Sequence, residues 1–134
     1  MDQSMNRQSP VPAVIAGSLL AMSLFAASSA PAADATHGKS VFAAQCAMCH
    51  TATKGGAAIL GPNLYGVVGR KAGAVVGYAY SKGMKAAGFI WTEERLENYL
   101  PAPKAMVAGT KMSYGGLKNP AQVADLATYL ASLK

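Results

Sequence analysis

The sequence predicts a small all-α domain in which a few helices are separated by long, glycine-rich loops. Three observations support this prediction. Residues 120–133 repeat apolar side chains at helical spacing. Residues 91–100 carry the start and stop signals of another helix. The stretch from Gly55 to Gly88 holds nine glycines and Pro62 without a sustained period, and no part of the chain alternates as a strand would.

The first 30 of the 134 residues are predicted to be a secretory signal peptide. A polar start with one basic residue precedes an apolar run, residues 13–27, and small residues follow it. Cleavage after Ala30 or after Ala35 fits the pattern, and Ala30 is preferred. The apolar run is shorter than the roughly 20 residues of a membrane span, which favours cleavage over anchoring. The domain itself then covers residues 31–134.

The first helix is predicted from His37 to about His50. Val41 and Phe42 lie at helical spacing from Cys46, and no glycine or proline interrupts the segment after residue 38. Within the glycine-rich stretch that follows, residues 80–88 have room for a short helix.

Two further helices have readable signals. Thr92 is a good N-cap for a helix that Pro101 ends, and residues 101–116 are predicted to be loop. Asn119 caps the last helix, whose first turn accommodates Pro120 because no amide donor is needed there. The predicted buried face of that helix consists of Val123, Leu126, Ala127 and Leu130.

The charge of the domain is one-sided. From residue 31 onwards there are eleven lysines and arginines and only five acidic residues. Such a balance predicts an acidic partner, nucleic acid or an anionic membrane surface. The predicted export of the chain argues against nucleic acid.

The only two cysteines stand in the segment "CAMCH", residues 46–50. A thioredoxin-like dithiol requires alternating strands and helices, which the sequence lacks. A structural zinc site requires four ligands, and Cys46, Cys49 and His50 with His37 make a poor tetrahedron. A disulfide between the two cysteines would close only a very small loop.

The remaining interpretation of this segment is covalent haem attachment. Cys-x-x-Cys-His is the signature of c-type haem, because two thiols one helical turn apart reach both vinyl groups and the next histidine reaches the iron. A covalent haem also explains how so small a domain accommodates long loops, since the cofactor serves as its core. The sequence therefore predicts one covalent haem c on Cys46 and Cys49.

The sixth iron ligand separates a carrier from an enzyme or sensor, because an open iron binds small molecules. Met48 lies inside the attachment segment and cannot reach the opposite face of the haem. Met112 lies in the loop "AGTKMSYGG", where no apolar period requires a methionine. A thioether in such a loop can approach the iron, although a methionine that merely fills the core is the plainer alternative.

These segments resemble the class I cytochromes c, closest to the mitochondrial and bacterial c2 type. The resemblance extends from His37 to Leu133. It is carried by "CAMCHT", "GPNLYGVVGRKAG", "WTEERLENYL", "GTKMSY" and "DLATYL".

The resemblance implies a small cytochrome c fold, with three main helices, short helices and long loops around the haem. It implies that His50 and Met112 are the axial iron ligands and that the Pro62 carbonyl orients His50. It places other residues around the haem: Arg70, Tyr80 and Trp91 at a propionate, and Tyr99 and Thr110 in supporting hydrogen bonds. It also implies packing between the first and last helices through Gly38, Phe42, Leu126 and Tyr129. Three residues depart from the family's usual ones: Gln45, Met84 and Ala108. Ala108 stands in place of a proline, and this change predicts a looser loop around Met112 (residues 108–116, the methionine loop).

Lys104, Lys111 and Lys118 match part of the basic ring around the haem edge in this family. Such a ring implies redox partners with acidic docking faces, for example a quinol–cytochrome c reductase, a terminal oxidase, a dehydrogenase or a reaction centre. Neither nucleic acid nor a small-molecule substrate is expected, and the chain is expected to be a monomer.

The sequence therefore predicts a soluble periplasmic one-electron carrier of a respiratory chain, and not an enzyme. Two alternatives stay open. An uncleaved N-terminal helix would make the chain a membrane-anchored electron-transfer subunit. An open sixth position on the iron would make it a haem peroxidase or a sensor.

Overall fold

The computed structural model describes residues 31–134, so the predicted signal peptide lies outside the described residues. Within this range the helices are α1 (Ala35–Gln45), α2 (Lys82–Ala86), α3 (Glu93–Tyr99), α4 (Pro103–Met106) and α5 (Pro120–Ser132). The described part has no strand, and an isolated antiparallel bridge joins Lys71 to Ile90. The predicted all-α fold with three main helices is confirmed. None of the helices in this range is long and apolar enough to span a membrane.

Helix α1 is shorter at its C-terminal end than the sequence predicts. It begins at Ala35 because the carboxylate of Asp34 accepts hydrogen bonds from the backbone amides of Thr36, at 2.7 Å, and His37, at 3.3 Å. It ends at Gln45, and the attachment segment forms a turn closed by a 2.9 Å bond from the His50 amide to the Cys46 carbonyl. Spacing alone could not place this end, because a turn keeps the helical spacing of its side chains.

Helix α3 starts as predicted, since the hydroxyl of Thr92 accepts a hydrogen bond from the Arg95 amide at 3.1 Å. The following segment is not all loop, because α4 forms one turn over Pro103–Met106. Proline at the first position of α4 needs no amide donor and has a suitable φ. A single turn is too short to show a period, which is why the sequence predicted a loop here.

Helices α1 and α5 cross at very close range, and the crossing depends on Gly38. A Cβ atom at this position would lie 1.9 Å from the carbonyl oxygen of Asp125 in α5. Beside the crossing, the rings of Phe42 and Tyr129 pack at 5.8 Å between centroids. Leu126 is fully buried there. The predicted packing of the first and last helices is therefore observed.

A polar contact at one end of the crossing ties the beginning of the domain to α5. The carboxylate of Asp125 accepts a 2.7 Å bond from the Asp34 amide and lies 2.6 Å from Nδ1 of His37. The bond with His37, and then the bond with the Asp34 amide, hold the pKa of Asp125 below its usual value. At the other end of α5, the carbonyl oxygen of Leu133 accepts a 2.8 Å bond from the Gly66 amide.

Candidate functional site

A cavity of about 460 Å³ lies between the loops and is lined mainly by apolar side chains. Its lining brings together residues that are far apart in the sequence. The predicted site residues found there are Cys46, Cys49, His50, Pro62, Arg70, Tyr80, Trp91, Tyr99, Thr110, Lys111 and Met112. Of the three lysines predicted to dock partners, Lys104 and Lys118 do not line the cavity. All the residues predicted to hold the haem therefore surround one space.

On one wall of the cavity, the imidazole of His50 is oriented by the backbone. Its Nδ1 lies 2.8 Å from the carbonyl oxygen of Pro62 and donates to it, because a carbonyl can only accept. Nε2 then carries the free lone pair that a metal ligand needs. Burial lowers the pKa of His50, although the bond to Pro62 acts in the opposite direction. The ring is therefore held neutral and ready to bind iron.

Gly61 allows this position of the His50 ring, a role that the sequence pattern did not predict. A Cβ atom at Gly61 would lie 2.3 Å from Cε1 of His50. The only sequence feature that points to this role is that a glycine directly precedes Pro62. Because glycine is common in this stretch, the feature does not stand out.

Cys46 and Cys49 are free, half-buried thiols in the turn that follows α1. Burial, together with the nearby Cys49, raises the pKa of Cys46 to about 11. At neutral pH this sulfur is therefore a protonated, neutral thiol. A thioether sulfur is neutral, so this environment fits covalent attachment to haem.

Met112 lies in the loop before α5 and also lines the cavity. The hydroxyl of Tyr99 donates to its sulfur, with 3.4 Å between the two atoms. The Met112 amide donates to the hydroxyl of Thr110 at 3.3 Å. By contrast, the side chain of Met48 is 83% exposed. Met112 is thus the methionine whose sulfur is held in place inside the cavity.

The cavity is also lined by a half-buried cation. The guanidinium of Arg70 donates to the carbonyl oxygens of Asn63, at 2.8 Å, and Tyr65, at 3.2 Å. Burial lowers the pKa of Arg70, which Tyr80 opposes. In residues 31–134 no carboxylate forms an ion pair with this guanidinium. A half-buried cation of this kind fits an anionic ligand group such as a haem propionate.

Trp91 and Tyr80 also line the cavity. Trp91 is buried and packs edge-on against Tyr99, with 4.9 Å between ring centroids. Tyr80 packs edge-on against Tyr78 at 4.7 Å. The hydroxyl of Tyr78 donates to the carbonyl of Leu60 at 2.8 Å, a contact that the sequence pattern did not predict.

Of the three residues that depart from the usual family pattern, Met84 is buried, whereas Gln45 and Ala108 are exposed. Met84 in α2 is buried and lines the cavity. The carbonyl oxygen of Ala108 lies 2.0 Å from where a Cβ atom of Gly83 would be. The methionine loop can therefore lie this close to α2 only because residue 83 has no side chain. The hydroxyl of Tyr114 donates to Gln45 at 3.2 Å. Greater looseness of the Ala108 loop stays a prediction.

The three predicted docking lysines are all exposed, but they differ in their contacts. The ammonium of Lys111 donates to the carbonyl of Ala79 at 2.6 Å. That of Lys118 donates to the carbonyl of Pro101. Among the described residues Lys104 has no such bond, so its charge is the one most available to a partner.

Comparison with known proteins shows which family this chain resembles. The family model for cytochrome c matches residues 35–134. The cytochrome c of Chlamydomonas reinhardtii is 48% identical over 109 residues, covering 81% of this chain and 96% of that protein. That of Ginkgo biloba is 45% identical over 103 residues, covering 77% and 91%. That of Theileria parva is 47% identical over 100 residues, covering 75% and 86%.

The relatives correct the predicted location. Chlamydomonas, Ginkgo and Theileria are eukaryotes, and their cytochromes c are mitochondrial rather than periplasmic. The prediction of a bacterial periplasm is therefore wrong. It rested on the leader alone.

Proposed function

Since this chain belongs to the class I cytochrome c family, we propose that it carries single electrons on a haem whose iron is bound by His50 and Met112. Members of the family are electron carriers and not enzymes, and they bind one covalent haem c. Cys46 and Cys49 fit the family's attachment motif. The axial ligands, the residues around the propionates and the partners are the proposed part.

The observation that carries the proposal is the pair of potential ligand atoms lining one cavity. Nε2 of His50 is left free by the bond between Nδ1 and Pro62, and the sulfur of Met112 is held by Tyr99. A histidine and methionine pair closes the iron to exogenous ligands and raises its reduction potential. The imidazole of His50 and the sulfur of Met112 are already held by these hydrogen bonds. Little of the protein therefore has to move when the iron gains or loses an electron.

The other residues of the cavity have supporting roles in this proposal. The haem supplies the one-electron change between ferric and ferrous iron. Arg70, with Tyr80 and Trp91, offers donors and a cation to a propionate, while the apolar lining excludes water. Thr110 fixes the backbone at Met112 and Tyr99 fixes its sulfur.

The optical spectrum of the purified protein tests the proposed ligation. We expect a low-spin c-type spectrum in both oxidation states and, in the ferric state, the weak red band of an iron–methionine bond. A high-spin spectrum, or one that changes when carbon monoxide is added, would contradict the proposal and support the sensor or peroxidase alternative.

Lys104 is proposed to steer the carrier onto an acidic partner surface. We expect Lys104→Glu to slow reduction by a quinol–cytochrome c reductase about two- to fivefold at low ionic strength, because a rim charge mainly changes the association rate. The difference from wild type should shrink as salt is added. The measurement is a stopped-flow reduction rate across a series of salt concentrations.

Lys39→Glu is the matched control, because Lys39 is exposed on α1 and does not match the basic ring. Lys111→Glu is less suitable, since it also removes the contact with Ala79. Equal rates for Lys104→Glu, Lys39→Glu and wild type at low salt would remove steering by Lys104 from the proposal.

For residues 1–30, we propose a leader that is cleaved after Ala30 rather than after Ala35. Cleavage after Ala35 would remove Asp34, which caps α1 and donates its amide to Asp125. Loss of such a cap costs about 1 kcal/mol. The mass of the purified protein decides between the two sites, and a retained segment 13–27 would instead support the anchored subunit.

A further inference from the structure

We propose that Met48 is a site of reversible oxidative modification, at which a hydroperoxide converts the thioether to a sulfoxide and thereby weakens the docking of a redox partner. This inference rests on the proposed function, because it assumes that partners dock at the opening of the cavity. It assigns a role to a methionine that the proposed iron ligation does not use.

Met48 is the most exposed methionine of residues 31–134. It is 83% exposed, whereas Met84 is buried and Met106 and Met112 are half-buried. A hydroperoxide in solution can therefore reach the sulfur of Met48 without any movement of the chain. Because oxidation of sulfur side chains follows their exposure, Met48 is the methionine in this range that such a reagent oxidises first.

The other sulfurs that line the cavity are less available. The sulfur of Met112 accepts a hydrogen bond from the hydroxyl of Tyr99, with 3.4 Å between the two atoms. In the proposed carrier one of its lone pairs is also bound to iron. Cys46 and Cys49 are half-buried, and their sulfurs carry the haem as thioethers in that carrier. Oxidation of Met48 therefore leaves the iron ligation intact.

The modification is an oxygen-atom transfer from the hydroperoxide to the sulfur of Met48. A lone pair of the sulfur attacks the terminal oxygen of the hydroperoxide, a new S–O bond forms and the O–O bond breaks. The sulfur is oxidised by two electrons, and the hydroperoxide is reduced by two electrons to an alcohol, or to water from hydrogen peroxide. The proton of the hydroperoxide leaves with that alcohol or water. Reductases of methionine sulfoxide restore the thioether.

Met48 shares the opening of the cavity with a second exposed apolar side chain. Leu60 is 72% exposed, and both residues line the cavity. The loop of Leu60 lies against the attachment turn, because the Gly61 amide donates to the carbonyl of Cys49 at 2.8 Å. Lys111, a predicted docking lysine, is exposed and lines the same cavity. We call Met48, Leu60 and Lys111 the cavity rim.

The cavity rim fits a redox protein whose docking face has acidic groups around an apolar centre. Lys111 supplies the complementary charge, and Met48 and Leu60 supply the apolar contact. Methionine is enriched in protein interfaces, where apolar side chains form the centre and charges surround it. A sulfoxide at Met48 would place a strong acceptor in that apolar contact, and burying it without a full complement of hydrogen bonds costs free energy. Oxidation should therefore weaken docking.

Treatment of the holoprotein with tert-butyl hydroperoxide tests the site of modification. Peptide mass mapping over time gives the oxidation rate of each methionine, and optical spectra follow the iron–methionine band in the same samples. We expect oxidation of Met48 to be at least about fivefold faster than that of Met112, because the sulfur of Met112 must first lose a hydrogen bond of ordinary net strength. The band should persist while Met48 is being oxidised.

Steady-state reduction by a quinol–cytochrome c reductase tests the effect on docking. We expect the treated wild type to have a KM raised about fivefold, the effect of burying one partly compensated polar group. Incubation with the reductases of both sulfoxide epimers should reverse the change. In Met48→Leu, which has no thioether at this position, treatment should leave KM where it was. Met106→Leu removes a half-buried methionine of α4 instead and should respond to treatment as the wild type does.

The outcomes separate this inference from the proposed function. Preferential oxidation of Met48, with a reversible rise in KM that Met48→Leu lacks, supports the proposal. An unchanged KM after complete oxidation of Met48 overturns it, and so does oxidation of Met112 before Met48. Either of those results leaves the proposed carrier standing if the untreated protein shows the iron–methionine band. Absence of that band, or no reduction of the untreated protein by the reductase, overturns the proposed function and this inference with it.

Discussion

Replacement of Met112 with alanine is expected to abolish the iron–methionine band and to allow carbon monoxide to bind the ferrous protein. Alanine has no atom that can bind iron, so the sixth position opens. The reduction potential should fall, on the order of a few tenths of a volt within the roughly 0.8 V range that axial ligands set. Optical spectra with and without carbon monoxide, together with a redox titration, measure these changes.

Met106→Ala is the matched control for that experiment. Met106 is half-buried in α4, packs against the core and does not line the cavity. We expect its replacement to lower the free energy of unfolding by about 2 kcal/mol through lost packing while the band persists. If the band instead survived in Met112→Ala, the ligand would be another methionine, and Met84 lines the same cavity.

Gly38→Ala is expected to lower the free energy of unfolding of the holoprotein by about 3 kcal/mol. Inside a helix this substitution ordinarily stabilises by about 1 kcal/mol, because glycine is a poor helix former. Here the added methyl group would lie 1.9 Å from the carbonyl oxygen of Asp125. That oxygen belongs to the backbone of α5 and cannot rotate away, so the two helices must separate.

Denaturant unfolding followed by circular dichroism measures this effect. Lys39→Ala, at the next position of α1, is exposed and should change the free energy by no more than about 0.5 kcal/mol. Because propensity and packing predict opposite signs for Gly38→Ala, a stabilised variant would show that the α1–α5 crossing is looser than 1.9 Å implies.

Elements with local signals were predicted closely from the sequence. Thr92 and Asn119 cap their helices with their own side chains, and the buried face of α5 follows directly from its spacing. The sequence-based predictions were wrong where an element is only about one helical turn long, because so short an element has no distinct pattern of its own. The turn at Cys46 keeps helical spacing, and α4 is a single turn between prolines.

The residues of the site likewise include some that the sequence predicts and others that only the folded structure reveals. Cys46, Cys49 and His50 are adjacent in sequence, so their chemistry could be predicted from spacing alone. The bond from Lys111 to Ala79 could not, because it joins two loops without regular structure and uses a backbone carbonyl that every residue carries. The space that Gly61 leaves for the His50 ring is equally invisible, since only the folded chain brings the two together.

The contact between Asp34 and Asp125 also bears on the order in which the domain is completed during synthesis. The two residues are 91 positions apart, so the ribosome must make most of α5 before the crossing with α1 can form. Cys46 and Cys49 are synthesised long before that point. The attachment segment thus leaves the ribosome before α5 can pack against α1.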